Sequence, residues 1–298
     1  MIRTLSLHLI MVIVSFAVWS VPVDIGPPIN PDAGHPTFAP NGSFMIFAST
    51  RPGGLGYYDL WRSVKYNGVW QTPVNLGSNV NSNSVECSPY LAENGTRLYF
   101  DADIVSLSAS DIYFSPMTGM VPGPRINLGP PVNTSYNDFF PILTIDGNTM
   151  YFASDRPGSL GSGTFDIWVS NRTGVVWSNP VRLSNTINTA YSELPSWISE
   201  DGNTLVFSST QPTSPGGYNI WYTVKTGGIW GTPINFGTPI NSADNDIYAE
   251  FRCNYGQIGG MMYLTRYSTG YESIFTAIES GFVRVLPSSL GAIKSLYY

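Results

Sequence analysis

One short pattern returns five times along this 298-residue chain at nearly constant spacing. It limits the fold more than any other feature. A polar residue precedes an apolar–aromatic pair in Asp59-Leu60-Trp61, Asp111-Ile112-Tyr113, Asp166-Ile167-Trp168, Asn219-Ile220-Trp221 and Ser273-Ile274-Phe275, at steps of 52, 55, 53 and 54 residues. Upstream, a turn is followed five residues after its Gly by Phe: Asn41-Gly42 to Phe47, Asn94-Gly95 to Phe100, Asp146-Gly147 to Phe152 and Asp201-Gly202 to Phe207. A later turn keeps the same step in Asn75-Leu76-Gly77, Asn127-Leu128-Gly129, Arg182-Leu183-Ser184 and Asn235-Phe236-Gly237. Three landmarks in phase over the whole chain define a repeat of about 54 residues.

Each landmark has a backbone meaning. Asn-Gly and Asp-Gly between apolar alternations suit tight hairpins with positive φ at the turn. The runs Tyr151-Phe152-Ala153-Ser154 and Asp166-Ile167-Trp168 read as successive strands. Turns near Gly68, Gly174 and Gly228 then lead to Trp70, Trp177 and Trp230 on a fourth. A four-stranded meander cannot cover both of its faces, and radial stacking of several buries them. The expected fold is therefore all-β, a five-bladed β-propeller of four-stranded antiparallel blades. The opening Asp24-Ile25-Gly26 and Ile29-Asn30 match Asn75-Leu76-Gly77 and Val80-Asn81 at a step of 51. An N-terminal strand is thus expected to complete the last blade.

The run Pro141, Asp146-Gly147, Tyr151-Phe152-Ala153-Ser154-Asp155-Arg156-Pro157-Gly158 and Asp166-Ile167-Trp168 resembles the WD-like propeller repeat of the TolB type. Copy one shows it again in Pro36, Asn41-Gly42, Phe47-Ala48-Ser49-Thr50-Arg51-Pro52-Gly53-Gly54 and Asp59-Leu60-Trp61. The resemblance covers residues 22–280. It implies a propeller of a family made mostly of binding and scaffolding modules, and it specifies no activity. Copy five departs from it, with Gln257-Ile258-Gly259-Gly260 in place of the Asp-Gly turn.

Residues 1–20 read as a signal peptide: Arg3, then an apolar stretch from Leu5 to Trp19, with cleavage near Ser20. The expected organisation is a leader over 1–20, the propeller over 21–285 and a tail over 286–298. The mature protein is expected to be secreted or periplasmic and monomeric, with no membrane span. Its formal charge of −6 becomes −7 once Arg3 is lost. So acidic a chain, with 14 Lys and Arg, is no nucleic-acid binder. Cys87 and Cys253 fall on non-adjacent blades, which disfavours a disulfide between them.

In such a ring the inter-blade loops and the loops from second to third strand share one face. An acid precedes each first strand: Glu86, Asp138, Glu193 and, in copy five, Asp246 or Glu250; copy one offers Asp32 and His35. Two readings follow. A carboxylate ring at one mouth would hold a basic group of a partner or a hard cation such as calcium, although no cofactor is required. Alternatively, each acid accepts hydrogen bonds in its own loop, the reading favoured by its recurrence. Arg51 and Arg156, facing Asp59 and Asp166 across Gly-rich loops, read as loop closures on the same face. The expected function is binding or scaffolding of an envelope or extracellular protein or glycan. The alternative is a five-bladed glycoside hydrolase using Glu86, Asp138 and Glu193. Against it, catalytic acids differ in task and should break repeat symmetry, whereas these follow it. With His8 in the leader and His35 the other histidine, no zinc or triad signature is present.

Overall fold

The computed structural model describes residues 18–103, 109–212, 216–253, 260–268 and 270–280. It is a ring of five antiparallel sheets, one per repeat. Blade one runs Ala33–Phe38, Phe44–Ser49 and Asp59–Tyr66 from the axis outward. Blade two runs Glu86–Ala92, Arg97–Asp103 and Ser110–Thr118. Blade three runs Asp138–Leu143, Thr149–Ser154 and Asp166–Thr173. Blade four runs Glu193–Ile198, Thr204–Ser209 and Asn219–Thr226, and blade five Asn245–Cys253, Gly260–Ser268 and Tyr271–Ser280.

The fourth strand differs from the single strand expected. In every blade it is two dipeptides, such as Val69–Trp70 and Val74–Asn75 against the third strand of blade one. Pro73, Pro180 and Pro233 stand directly before the second dipeptide in blades one, three and four. Proline has no N–H to give a ladder, so the rim cannot run on as one strand. In blade five the two dipeptides come from the other end of the chain. Val18–Trp19 pairs with Ser280 and Glu279, and Val23–Asp24 with Thr276 and Phe275. The outer edge of the propeller therefore includes Val18–Trp19, ahead of the boundary expected at residue 21.

A buried asparagine locks each blade. Asn81 accepts from the Leu60 N–H at 2.8 Å and donates to the Leu60 carbonyl at 3.0 Å. Asn133 does the same to Ile112, Asn188 to Ile167 and Asn241 to Ile220. Asn30 repeats it on Ile274 across the seam between the chain's two ends. One side chain thus gives the N–H of a buried residue its acceptor and adds a second donor to that residue's carbonyl, which also takes a backbone N–H from the rim, as the Leu60 carbonyl does from Leu76. Five apolar clusters fill the spaces between neighbouring blades, for example Phe44, Ile46 and Leu60 against Leu98, Phe100 and Met117. Trp61, Trp168 and Trp221 lie in these cores, as expected.

Candidate functional site

The acids that follow the repeat are turned into their own loops. Glu86 accepts from the Ser82 N–H and hydroxyl, Asp138 from those of Thr134, Glu193 from those of Thr189 and Asp246 from those of Ser242. All four are fully buried. Three also meet an arginine: Arg125 on Glu86 at 3.0 Å, Arg156 on Asp138, and Arg266 on Asp246 at 2.7 Å. Glu193 takes the Ser209 hydroxyl instead, and burial pushes it up to about 7. Asp246, not Glu250, is thus the loop acid of blade five. Of the two readings, the hydrogen bonds are those of the second: each carboxylate is engaged in its own loop. Among the described residues, no group of three or more His, Cys, Asp or Glu could hold a metal ion.

The loop arginines serve the same end. Arg51 donates to the Ile29 carbonyl at 2.5 Å and lies over the Phe47 and Trp61 rings. Arg156 donates to the Val132 carbonyl at 2.5 Å. Neither pairs across its loop. Asp59 accepts from the Leu55 and Gly56 N–H groups, and Asp166 from the Leu160 N–H and Arg182. Cys87 is a free, half-buried thiol, pushed well above its usual range by burial and by the nearby Asp101 and Glu272. The side chain of Cys253 lies outside the described residues.

The axis of the ring is plugged. His35, Phe140 and Tyr248, from the inner strands of blades one, three and five, converge with ring centroids 5.1 Å apart for each pair that includes His35. All three have φ between 50° and 55°, so each inner strand bulges and throws its ring across the axis. Their N–H groups are caught by the preceding blade: His35 donates to Thr265 at 2.8 Å, Phe140 to Asp101 at 3.1 Å and Tyr248 to Ser208 at 3.2 Å. The other two blades carry Ala48 and Ala153 at the place of these three acceptors. Burial pushes His35 down to about 4, so it is neutral, with Ser88 3.3 Å from Nδ1. Asp101, hydrogen-bonded by Ser88, rises to about 6, chiefly by burial. Glu250 lies buried along the same inner strand as Tyr248, and burial raises it to about 7.

Around the mouth on the loop face, two facing positions break the repeat. After the loop acid, the inner strands carry Cys87, Phe139, Leu194 and Ile247, but blade one has Gly34. Before the third-strand motif the blades carry Tyr58, Ser110, Phe165 and Tyr218, but blade five has Glu272. The two exceptions fit each other: a Cβ on Gly34 would stand 2.3 Å from Glu272 Oε2. Glu272 is half-buried and raised to about 7 by burial and by the negative charge of Asp32, while a hydrogen bond from Tyr58 pulls the other way. Five exposed tyrosines stand on or beside loops of this face: Tyr57, Tyr136, Tyr191, Tyr267 and Tyr271. Of the residues expected at a site, Asp32 alone remains at this mouth with its carboxylate not hydrogen-bonded to any described group. Asp101, Glu272 and the tyrosines were missed; Asp101 and Glu272 depart from the repeat, whereas Tyr136 and Tyr191 each stand two residues before a loop acid.

No protein-family model and no curated protein matches this chain. Its fold is shared with solved structures at low identity. The catalytic domain of Coprinopsis cinerea GH62 α-L-arabinofuranosidase is 9% identical, with 88% of this chain and 96% of that one covered and a TM-score of 0.53. The α-L-arabinofuranosidase from Lactobacillus brevis is 11% identical, with 84% and 92% covered and a TM-score of 0.55. A structure described as a BT0996 RGII complex is 11% identical, with 93% and 94% covered and a TM-score of 0.60. These likenesses extend over the whole ring and establish the five-bladed propeller.

Proposed function

We propose that the mouth between blades five, one and two is a glycan site, and that its chemistry is glycoside hydrolysis with Glu272 as proton donor. The observation that carries this is the paired exception of Gly34 and Glu272. In an otherwise repetitive ring, a glycine clears room for one carboxyl that no other blade has. A glycosidase needs one carboxyl kept protonated and a second kept as carboxylate. Glu272, raised to about 7, suits the first role, and the adjacent Asp32 supplies a second carboxyl beside it. The exposed tyrosines offer flat apolar faces with polar edges, the surface on which sugar rings stack. That proteins sharing this fold include arabinofuranosidases adds support. Glu86, Asp138 and Glu193 are not the catalytic set in this reading, because loop hydrogen bonds occupy them. The apolar N-terminal stretch would deliver the protein to the periplasm or the outside, where glycans are met.

The test is turnover on aryl α-L-arabinofuranosides and a panel of plant and bacterial polysaccharides. Wild type should release sugar, and Glu272→Gln should lose at least a hundredfold in kcat with its melting temperature nearly unchanged, as expected for loss of general acid catalysis. Saturable binding without turnover, weakened by Tyr57→Ala, would leave a glycan-binding module. Neither binding nor turnover would end the glycan reading.

A further inference from the structure

We infer that the sugar bound in this mouth carries no negative charge: the site selects uncharged glycan residues over uronic or sialic acid. The inference rests on the glycan reading and names its substrate class. Recognition of a carboxylated sugar needs a cation free to meet it, in the manner of a bidentate arginine. The loop face has five described arginines, and every one is committed. Arg51 is held by the Ser49 hydroxyl and two carbonyls, Arg125 by Glu86, Arg156 by Asp138, Arg182 by Asp166 and Asn185, and Arg266 by Asp246. These pairs close the loops, so releasing one would leave a buried carboxylate or carbonyl unmatched.

The remaining described cations lie toward the opposite face. Arg252 donates to carbonyls of the first hairpin turn, Arg97 and Arg172 pair with Glu93, and Arg62 donates to the Met120 carbonyl. Lys65 and Lys225 lie over Trp70 and Trp230 at the far ends of their strands. Toward the mouth itself stand Asp32 and Glu272, with Asp103 close to Cys87 and Asp101 and accepting, among the described residues, the Ser110 hydroxyl. A sugar carboxylate brought here meets the like charge of Asp32 and Asp103 and, among the described residues, no uncommitted cation, which is selection by repulsion. Hydroxyl groups, by contrast, can donate to these carboxylates.

Pairs that differ only at the carboxylate test this with the whole protein: oligogalacturonides against their methyl esters, and sialyllactose against its carboxyl methyl ester, by calorimetry at low salt. The neutral member should bind at least tenfold more tightly, a margin of the size expected for one like-charge contact near a surface. Asp32→Asn with Asp103→Asn should narrow that margin, and added salt should narrow it too. Equal or tighter binding of the acidic member would overturn the inference while leaving the glycan site standing. Failure of both members, and of the wider panel, would remove the site and the inference together.

Discussion

Two sets of acids on one molecule behave in opposite ways. Glu86, Asp138, Glu193 and Asp246 recur with the repeat, sit at zero exposure and are saturated by loop hydroxyls, N–H groups and, in three cases, arginines. Glu272 and Asp101 occur once each, at positions where the other blades carry neutral residues, and lie near the axis and the mouth. What repeats is what every blade needs in order to close its own loop. What departs serves something the ring does only once. In a repeat protein, symmetry therefore separates carboxylates that every blade uses from those that stand in one blade alone more sharply than residue type does.

The clearest break of that comparison would come from Asp138. Asp138→Ala leaves Arg156 buried without its anion, and loss of one partner of a buried pair costs on the order of 3 kcal/mol. The expected result is a melting temperature lowered by several degrees, with glycan affinity at 25 °C unchanged; calorimetric unfolding and a binding titration measure both. If affinity vanished while the fold held, the division between the two sets would be false.

Acidity should act in the same direction on several sites. Burial raises Glu193, Glu250 and Glu272 to about 7 and Asp101 to about 6. Such a carboxyl holds its proton more tightly folded than unfolded. Its contribution is complete below about pH 4 and is lost as pH climbs through 7. His35, held down to about 4, opposes this, contributing above pH 6.5 and losing its share as pH falls through 4. With four groups against one, the melting temperature should be higher at pH 5 than at pH 8. Glu250→Gln should flatten the difference by roughly a quarter to a half, because one oxygen of that buried carboxyl has no partner among the described residues.

The seam offers a smaller effect. Val18–Trp19 occupies the rim position of Val69–Trp70, and Trp19 meets Phe236 and Phe251 edge-on at 6.1 and 5.6 Å. Trp19→Ala should cost about 2 kcal/mol, less than a fully buried tryptophan, because the ring is half-exposed. Its pH profile of turnover should match wild type, since closure of blade five supports the mouth without entering it.

The sequence reveals the ring because its signals are local. Asn-Gly turns, the Asp-Ile-Trp runs and the 51-residue echo of Ile29-Asn30 in Val80-Asn81 each lie within one blade length. The mouth was not legible for the opposite reason. Gly34 and Glu272 stand at opposite ends of the chain and become neighbours only when the ring closes. The fifth repeat, which carries Glu272, is also the one whose turn signals fade, so its register could not be set from the pattern alone. Trp19 was hidden differently: its apolar surroundings read as a leader, although Val18–Trp19 matches Val69–Trp70 at the same step of 51 as the rest of the N-terminal echo.

The finest distinction between the two sets concerns how Glu272 is held. Loop acids are fixed by hydroxyls and N–H groups of their own loops, whereas Glu272 takes its hydrogen bond from Tyr58 of blade one, across the seam. That bond favours the carboxylate, so removing it should move the carboxyl further up from about 7. In a general acid the protonated form is active, and rate falls as pH rises through its pKa. Tyr58→Phe should therefore carry the alkaline limb of the kcat profile to higher pH by less than one unit, with little loss at the optimum. A tyrosine that only packed would leave the limb in place. A shift to lower pH would mean that Tyr58 stabilises the proton rather than the charge, and Glu272 would then be poised by burial and Asp32 without help from across the seam.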